Sequence, residues 1–139
     1  ICKCYLLQQT RAKRRGCFMN ISDLQIVIEN PSGSYKKFVD SPEEYPVLGV
    51  TYPTHYGYII GYKSEDGHDL DVFIGNGELY GLMQVERDDT PNGVETKFFL
   101  GVSQEEINKI KSQFDPVIAK IDTFDQTEFL KKLTEFKSV

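Results

Sequence analysis

Between Leu24 and Leu100 the apolar residues fall in short β-branched runs or at every second position. Beyond Ser103 they fall three and four apart, so the chain predicts strands first and helices last. Leu24-Gln25-Ile26-Val27-Ile28-Glu29 is one strand, broken by the turn residues Asn30-Pro31-Ser32-Gly33-Ser34. A second strand runs through Tyr56 and Tyr58 into a turn at Asp66-Gly67. The alternation after it, Leu70, Val72 and Ile74 against Asp69 and Asp71, predicts a strand with one apolar and one acidic face. Gly75-Asn76-Gly77 reads as a turn, 79–86 as a strand, 87–93 as an acidic loop with Pro and Asn-Gly, and 95–100 as a strand. Ser103-Gln104-Glu105-Glu106 is a capping box for a helix with Ile107, Ile110 and Phe114 on one face, ended by Pro116. A second helix begins near Asp125, with Glu128 three residues on and Phe129, Leu130, Leu133 and Phe136 at helical spacing. The last third is therefore expected to be helical, and the fold α+β, mainly β.

Composition narrows the class. With 139 residues, 40% apolar and 12% aromatic, the chain suits one folded domain with one core. No run of about 18 apolar residues exists, so no membrane-spanning helix is expected. Residues 1–18 carry Lys3, Arg11, Lys13, Arg14 and Arg15 without an acid, whereas the remainder holds 11 basic against 21 acidic residues. An acidic domain argues against a broad nucleic-acid surface, yet it can hold a small phosphate through metal ions. Cys2, Cys4 and Cys17 all lie in the first segment, so the rest uses no disulfide, in keeping with a cytoplasmic location. Residues 1–18 show no clear apolar periodicity and read as a basic leader, disordered or non-native, before a domain of residues 19–139. A targeting peptide or a nucleic-acid arm are the functional alternatives for that leader.

The densest chemistry lies in the turn. Asp66, Asp69 and Asp71 fall within six residues, with Glu65 beside them and Lys63 as the one close cation, and their repulsion favours a divalent metal among them. Asp69 and Asp71 are two apart on a strand and share a face. A β-hairpin with a solvated acidic tip accounts for the acids equally well. The preceding Tyr52, Tyr56 and Tyr58 would bring ring hydroxyls toward the same cleft.

The run Tyr52-Pro-x-x-Tyr56-Gly-Tyr58-Ile59, followed by Asp66-Gly-x-x-x-Asp71-Val72, resembles the signature of the soluble family I inorganic pyrophosphatases. The resemblance covers roughly Leu24 to Leu100. It implies a small OB-like β-barrel with two C-terminal helices, and metal-dependent hydrolysis of inorganic pyrophosphate to two phosphates. Mg²⁺ is the implied cofactor, with Mn²⁺ or Zn²⁺ as alternatives, and a homo-oligomer the implied assembly. Metal would fall to Asp66, Asp71 and Glu95, assisted by Asp89 (or Asp88) and Glu29; phosphate would fall to Lys37, Tyr56 and Lys97. No nucleic acid or membrane enters as a partner.

The chain departs from the family at the water-handling position. The family's middle aspartate is His68 here and the usual proline after it is Asp69, so these two are the candidate catalytic residues. Imidazole, titrating near ~6.5, can act as a base and would favour softer metals than Mg²⁺; a small adjustment of the turn would present Asp69 instead. Residues 40–51 contain no arginine where the family binds substrate, Val39 replaces a glutamate, and the family's late Tyr-Lys pair has no counterpart. These losses define a second reading, a catalytically impaired module that binds metal and phosphate or acts in interactions. A third is hydrolysis of another phosphoanhydride, such as a nucleotide.

Overall fold

The computed structural model describes residues 3–6, 20–37 and 49–138. Its elements are β1 (Lys3–Leu6), β2 (Gln25–Asn30), β3 (Tyr35–Lys37), β4 (Gly49–Thr51), β5 (His55–Lys63) and β6 (Asp69–Ile74), followed by β7 (Leu79–Glu86), β8 (Val94–Val102), α1 (Gln104–Phe114), β9 (Ile118–Phe124) and α2 (Gln126–Thr134). One sheet runs in the order β1-β2-β5-β6-β8-β7-β9, and β3 pairs with β4 separately. All pairings are antiparallel except β6 with β8, which is parallel with Val72 opposite Phe98.

This mainly β, α+β architecture matches the expectation, but the closed barrel does not appear among the described strands. Their order has two ends, β1 and β9, and the sheet is open. The last strand in the order, β9, pairs with β7 and not with β1, so the ends do not meet; each apolar face of the open sheet is covered by a helix instead. On one face Ile26, Ile59, Leu70, Val72, Phe98 and Leu100 pack against Phe129 and Leu133 of α2. On the other, Phe73, Met83, Val85 and Phe99 pack against Ile107 and Ile110 of α1.

Both helices start where their caps predict. The Ser103 hydroxyl accepts from the Glu106 N–H at 3.1 Å, and the Asp125 carboxylate accepts from the Glu128 N–H at 2.8 Å. The Glu106 carboxylate also accepts from the N–H of Asn76 at 3.1 Å, which ties the β6–β7 turn to the start of α1. Between the helices the wholly helical expectation fails, because residues 118–124 form β9 and add an edge to β7. Residues 3–6, inside the segment read as a leader, pair with β2 as the opposite edge. Val39 and the connection 40–48 lie outside the described residues.

Two glycines of the signature have physical roles. A Cβ on Gly57 would stand 1.8 Å from the Val27 carbonyl oxygen, so only glycine lets β5 lie this close to β2. Gly67 turns the chain at φ 82°, and its N–H reaches the Ser64 carbonyl at 3.0 Å. That turn sets the start of β6, and with it the direction of Asp71.

Candidate active site

Three neighbouring strands assemble the polar cluster on the face that α1 covers. Glu95 and Lys97 are two apart on β8 and point the same way, while the parallel register places Asp71 of β6 beside Lys97. Tyr56 of β5 reaches across diagonally, and its hydroxyl donates to Asp71 Oδ2 at 2.5 Å. Lys97 Nζ donates to the same oxygen at 2.8 Å, to the Tyr56 hydroxyl at 2.9 Å and to Glu95 Oε2 at 3.4 Å. Arg87 opens the β7–β8 loop and folds back over it. Its Nη1 donates to Glu95 Oε1 at 2.5 Å and its Nη2 to Asp89 Oδ2 at 2.8 Å. The result is a line of alternating charge: Asp71, Lys97, Glu95, Arg87, Asp89.

Burial sharpens these contacts. The side chains of Lys97 and Glu95 are only 8% and 6% exposed, so each needs the other charge to offset its lost hydration. The Lys97 ammonium also lies 5.5 Å from the Tyr56 ring centre and 5.8 Å from that of Phe114, the last residue of α1. Burial, then the charge and hydrogen bond of Asp71, hold the Tyr56 phenol well above its ordinary pKa. Tyr56 therefore remains a neutral donor at physiological pH. Tyr52 stacks on it with centroids 5.2 Å apart, and its own phenol is raised by burial, then by the charges of Asp71 and Glu29. The Arg87 guanidinium is raised chiefly by its hydrogen bond to Asp89, and Glu95 adds to that.

Of the residues singled out from the sequence, the cluster brings together Tyr56, Asp71, Glu95, Lys97 and Asp89. Among the described contacts, Asp66, His68, Asp69, Glu29, Lys37 and Asp88 do not share its hydrogen bonds. Asp66 accepts the His68 N–H at 2.9 Å within the turn, so it closes the turn. His68 is exposed, and Asp69, also exposed, pairs with Lys63 at 3.2 Å. Glu29 and Lys37 are exposed on β2 and β3, with Glu29 close enough to Tyr52 to act on its phenol. Asp88 is exposed beside Asp89. His55 takes a local role, its Nδ1 accepting from the Ser32 N–H at 3.0 Å.

Sequence reasoning missed Arg87 and Glu65. Glu65 reaches from the acidic turn to β8, where it accepts from the Thr96 N–H at 2.8 Å and the Thr96 hydroxyl at 2.6 Å. It thereby fixes the turn against the residue between Glu95 and Lys97. The sign that could have found Arg87 is its isolation, a lone cation in a loop of acids facing another acid across a hairpin.

Whether the donor set suits a metal follows from the same bonds. Both oxygens of Glu95 and one of Asp71 are already held by Lys97 or Arg87, and Asp66 is engaged in its own turn. Among the described residues, no three Asp, Glu, His or Cys side chains are gathered so as to hold a metal ion. As arranged, these residues do not fit a metal centre. No described helix is long and apolar enough to cross a membrane.

The family model for inorganic pyrophosphatase matches residues 8–131, and the chain belongs to that family. The match begins inside the segment read as a leader. A comparison with curated proteins found no match.

Proposed function

We propose that the chain hydrolyses inorganic pyrophosphate to two phosphates at the cluster around Asp71. The observation that carries this reading is the convergence, in a member of this family, of Tyr56, Asp71, Glu95 and Lys97 from three strands onto one partly buried site. Breaking the phosphoanhydride requires donors on the phosphate oxygens and a carboxylate that orients water. Lys97 and the neutral phenol of Tyr56 are the donors. Asp71 Oδ2 is held by both of them, which leaves Oδ1 to orient the water and take its proton. As the water oxygen bonds to one phosphorus, the bridging P–O bond breaks and the second phosphate leaves.

Three acids and two cations form the cluster, so bare pyrophosphate would meet net repulsion. The substrate in this reading is pyrophosphate carrying its own divalent cation, Mg²⁺ first, with Mn²⁺ or Zn²⁺ as alternatives. A cytoplasmic setting and a homo-oligomer belong to the same proposal. A specific observation favours the second reading, an impaired module that binds phosphate. Asp71, Glu95 and Asp89 are each ion-paired, and His68, at the family's water-handling position, sits exposed on the turn.

Phosphate release from pyrophosphate by the full chain separates the two, measured with Mg²⁺, Mn²⁺, Zn²⁺ or EDTA beside an Asp71→Asn control. Cation-dependent release that is lost in Asp71→Asn supports hydrolysis at this cluster. No release with any cation from a folded protein leaves the binding module.

A further inference from the structure

We propose that Arg87 is a built-in counter-ion that closes the Glu95–Asp89 end of the cluster to divalent cations. This rests on reading the cluster as the chain's phosphate site, and concerns how that site is controlled. Asp88, Asp89 and Glu95 make the β7–β8 hairpin acid-rich, and read from sequence they invite a metal. The structure puts a guanidinium there instead. Its planar fork spans two carboxylates that belong to different parts of the hairpin, Glu95 at 2.5 Å and Asp89 at 2.8 Å.

The two contacts differ in weight. Asp89 is 60% exposed and its pair is largely screened, whereas the Glu95 carboxylate is 6% exposed and cannot stand without a cation. Lys97 holds one Glu95 oxygen at 3.4 Å, a loose contact, so the closer partner of this buried acid is Arg87. A divalent ion approaching Glu95 must displace the guanidinium or accept its repulsion at short range. The arginine side chain is itself 39% exposed, so its head has a route into solvent when displaced. Arg87 thus sets the concentration of cation at which this end of the cluster opens.

Mn²⁺ binding to the full chain tests this, followed through the electron paramagnetic resonance signal of free Mn²⁺. Arg87→Gln is expected to bind Mn²⁺ roughly tenfold more tightly than the unaltered chain. Arg87→Lys, which keeps the charge but loses the fork, should fall between them. Adding Glu95→Gln to Arg87→Gln should erase the gain. Unchanged or weaker binding in Arg87→Gln, or a gain that survives in the double variant, overturns the inference. If Arg87→Gln is too unstable to titrate, its melting temperature should rise more with Mn²⁺ than that of the unaltered chain, and equal or smaller rises count against the idea. Phosphate release is scored separately. Turnover without tighter Mn²⁺ binding in Arg87→Gln removes this inference and leaves hydrolysis standing; tighter binding without turnover does the reverse.

Discussion

The two faces of the central sheet come from alternate residues of the same strands, yet they are built on opposite principles. On β6, Leu70 and Val72 face α2, while Asp71 and Phe73 face α1; on β8, Phe98 and Leu100 face α2, while Glu95, Lys97 and Phe99 face α1. The α2 face of β6 and β8 is apolar over these positions, and their burial helps to hold the fold. The α1 face is apolar at one end and charged at the other, and burial at its charged end costs energy that ion pairs must offset. A period of two is enough to let one strand carry an apolar row on one face and a charged row on the other.

The largest effect should come from breaking the apolar face. Phe98 is fully buried and meets the rings of Phe129 and Phe136 edge-on, with centroids 5.5 Å away in each case. Phe98→Ala should cost about 3–5 kcal/mol of stability through lost burial and the cavity left behind. Urea denaturation measures it, and a loss below about 1 kcal/mol would mean that α2 is not the cover of this face.

Next in size is the link between the acidic turn and β8. Glu65→Ala removes the acceptor for both the N–H and the hydroxyl of Thr96, a residue with no exposed surface. Charge-assisted bonds of this kind are worth about 1.5–3 kcal/mol, and Glu65→Gln, which keeps one carbonyl acceptor, should lose less. Equal losses in the two variants would show that the link needs the charge and both carboxylate oxygens, and that side-chain packing and a single carbonyl add nothing to it.

These two residues also show what the sequence could and could not reveal. Phe98, Asp71, Glu95 and Lys97 are placed by alternation alone, since strand geometry assigns each to a face before any partner is known. The caps at Ser103 and Asp125 are equally local. Glu65 and Arg87 act through side chains that cross from a turn or a loop to another strand, and no periodicity records such a reach. Strand β9 misled for a different reason. Its apolar residues Ile118, Ile121 and Phe124 are three apart, a helical spacing, because an edge strand with both faces partly exposed need not alternate. Whether the sheet closes depends on which strands end up adjacent, and that is a property of the whole chain.

A smaller effect on stability, but a larger one on chemistry, is expected on the charged face. Tyr56→Phe removes the hydroxyl that donates to Asp71 and accepts from Lys97, and should cost about 0.5–1.5 kcal/mol. If the cluster hydrolyses pyrophosphate, the same change should slow phosphate release on the order of 100-fold, as the loss of one positioned donor does elsewhere. A variant as active as the unaltered chain would take Tyr56 out of the site. The contrast with Phe98→Ala is then complete, one face losing stability and the other losing function.

The finest test compares the faces through pH. Tyr62 lies buried on the α2 face, and its phenol is raised above its ordinary pKa by burial, whereas Tyr56 on the charged face is raised by burial and then by Asp71. A phenol with a raised pKa in the folded chain favours the fold while it is neutral. Its contribution is fully present below the unfolded value of about 10 and is lost as pH rises through the folded value. Above about pH 10, stability should therefore fall more steeply in the unaltered chain than in Tyr62→Phe, with both falling for the groups they share. Denaturation curves across that range give the two slopes. Identical slopes would mean that Tyr62 ionises as readily in the folded chain as in the unfolded one, and the apolar face would then be wetter at β5 than its packing indicates.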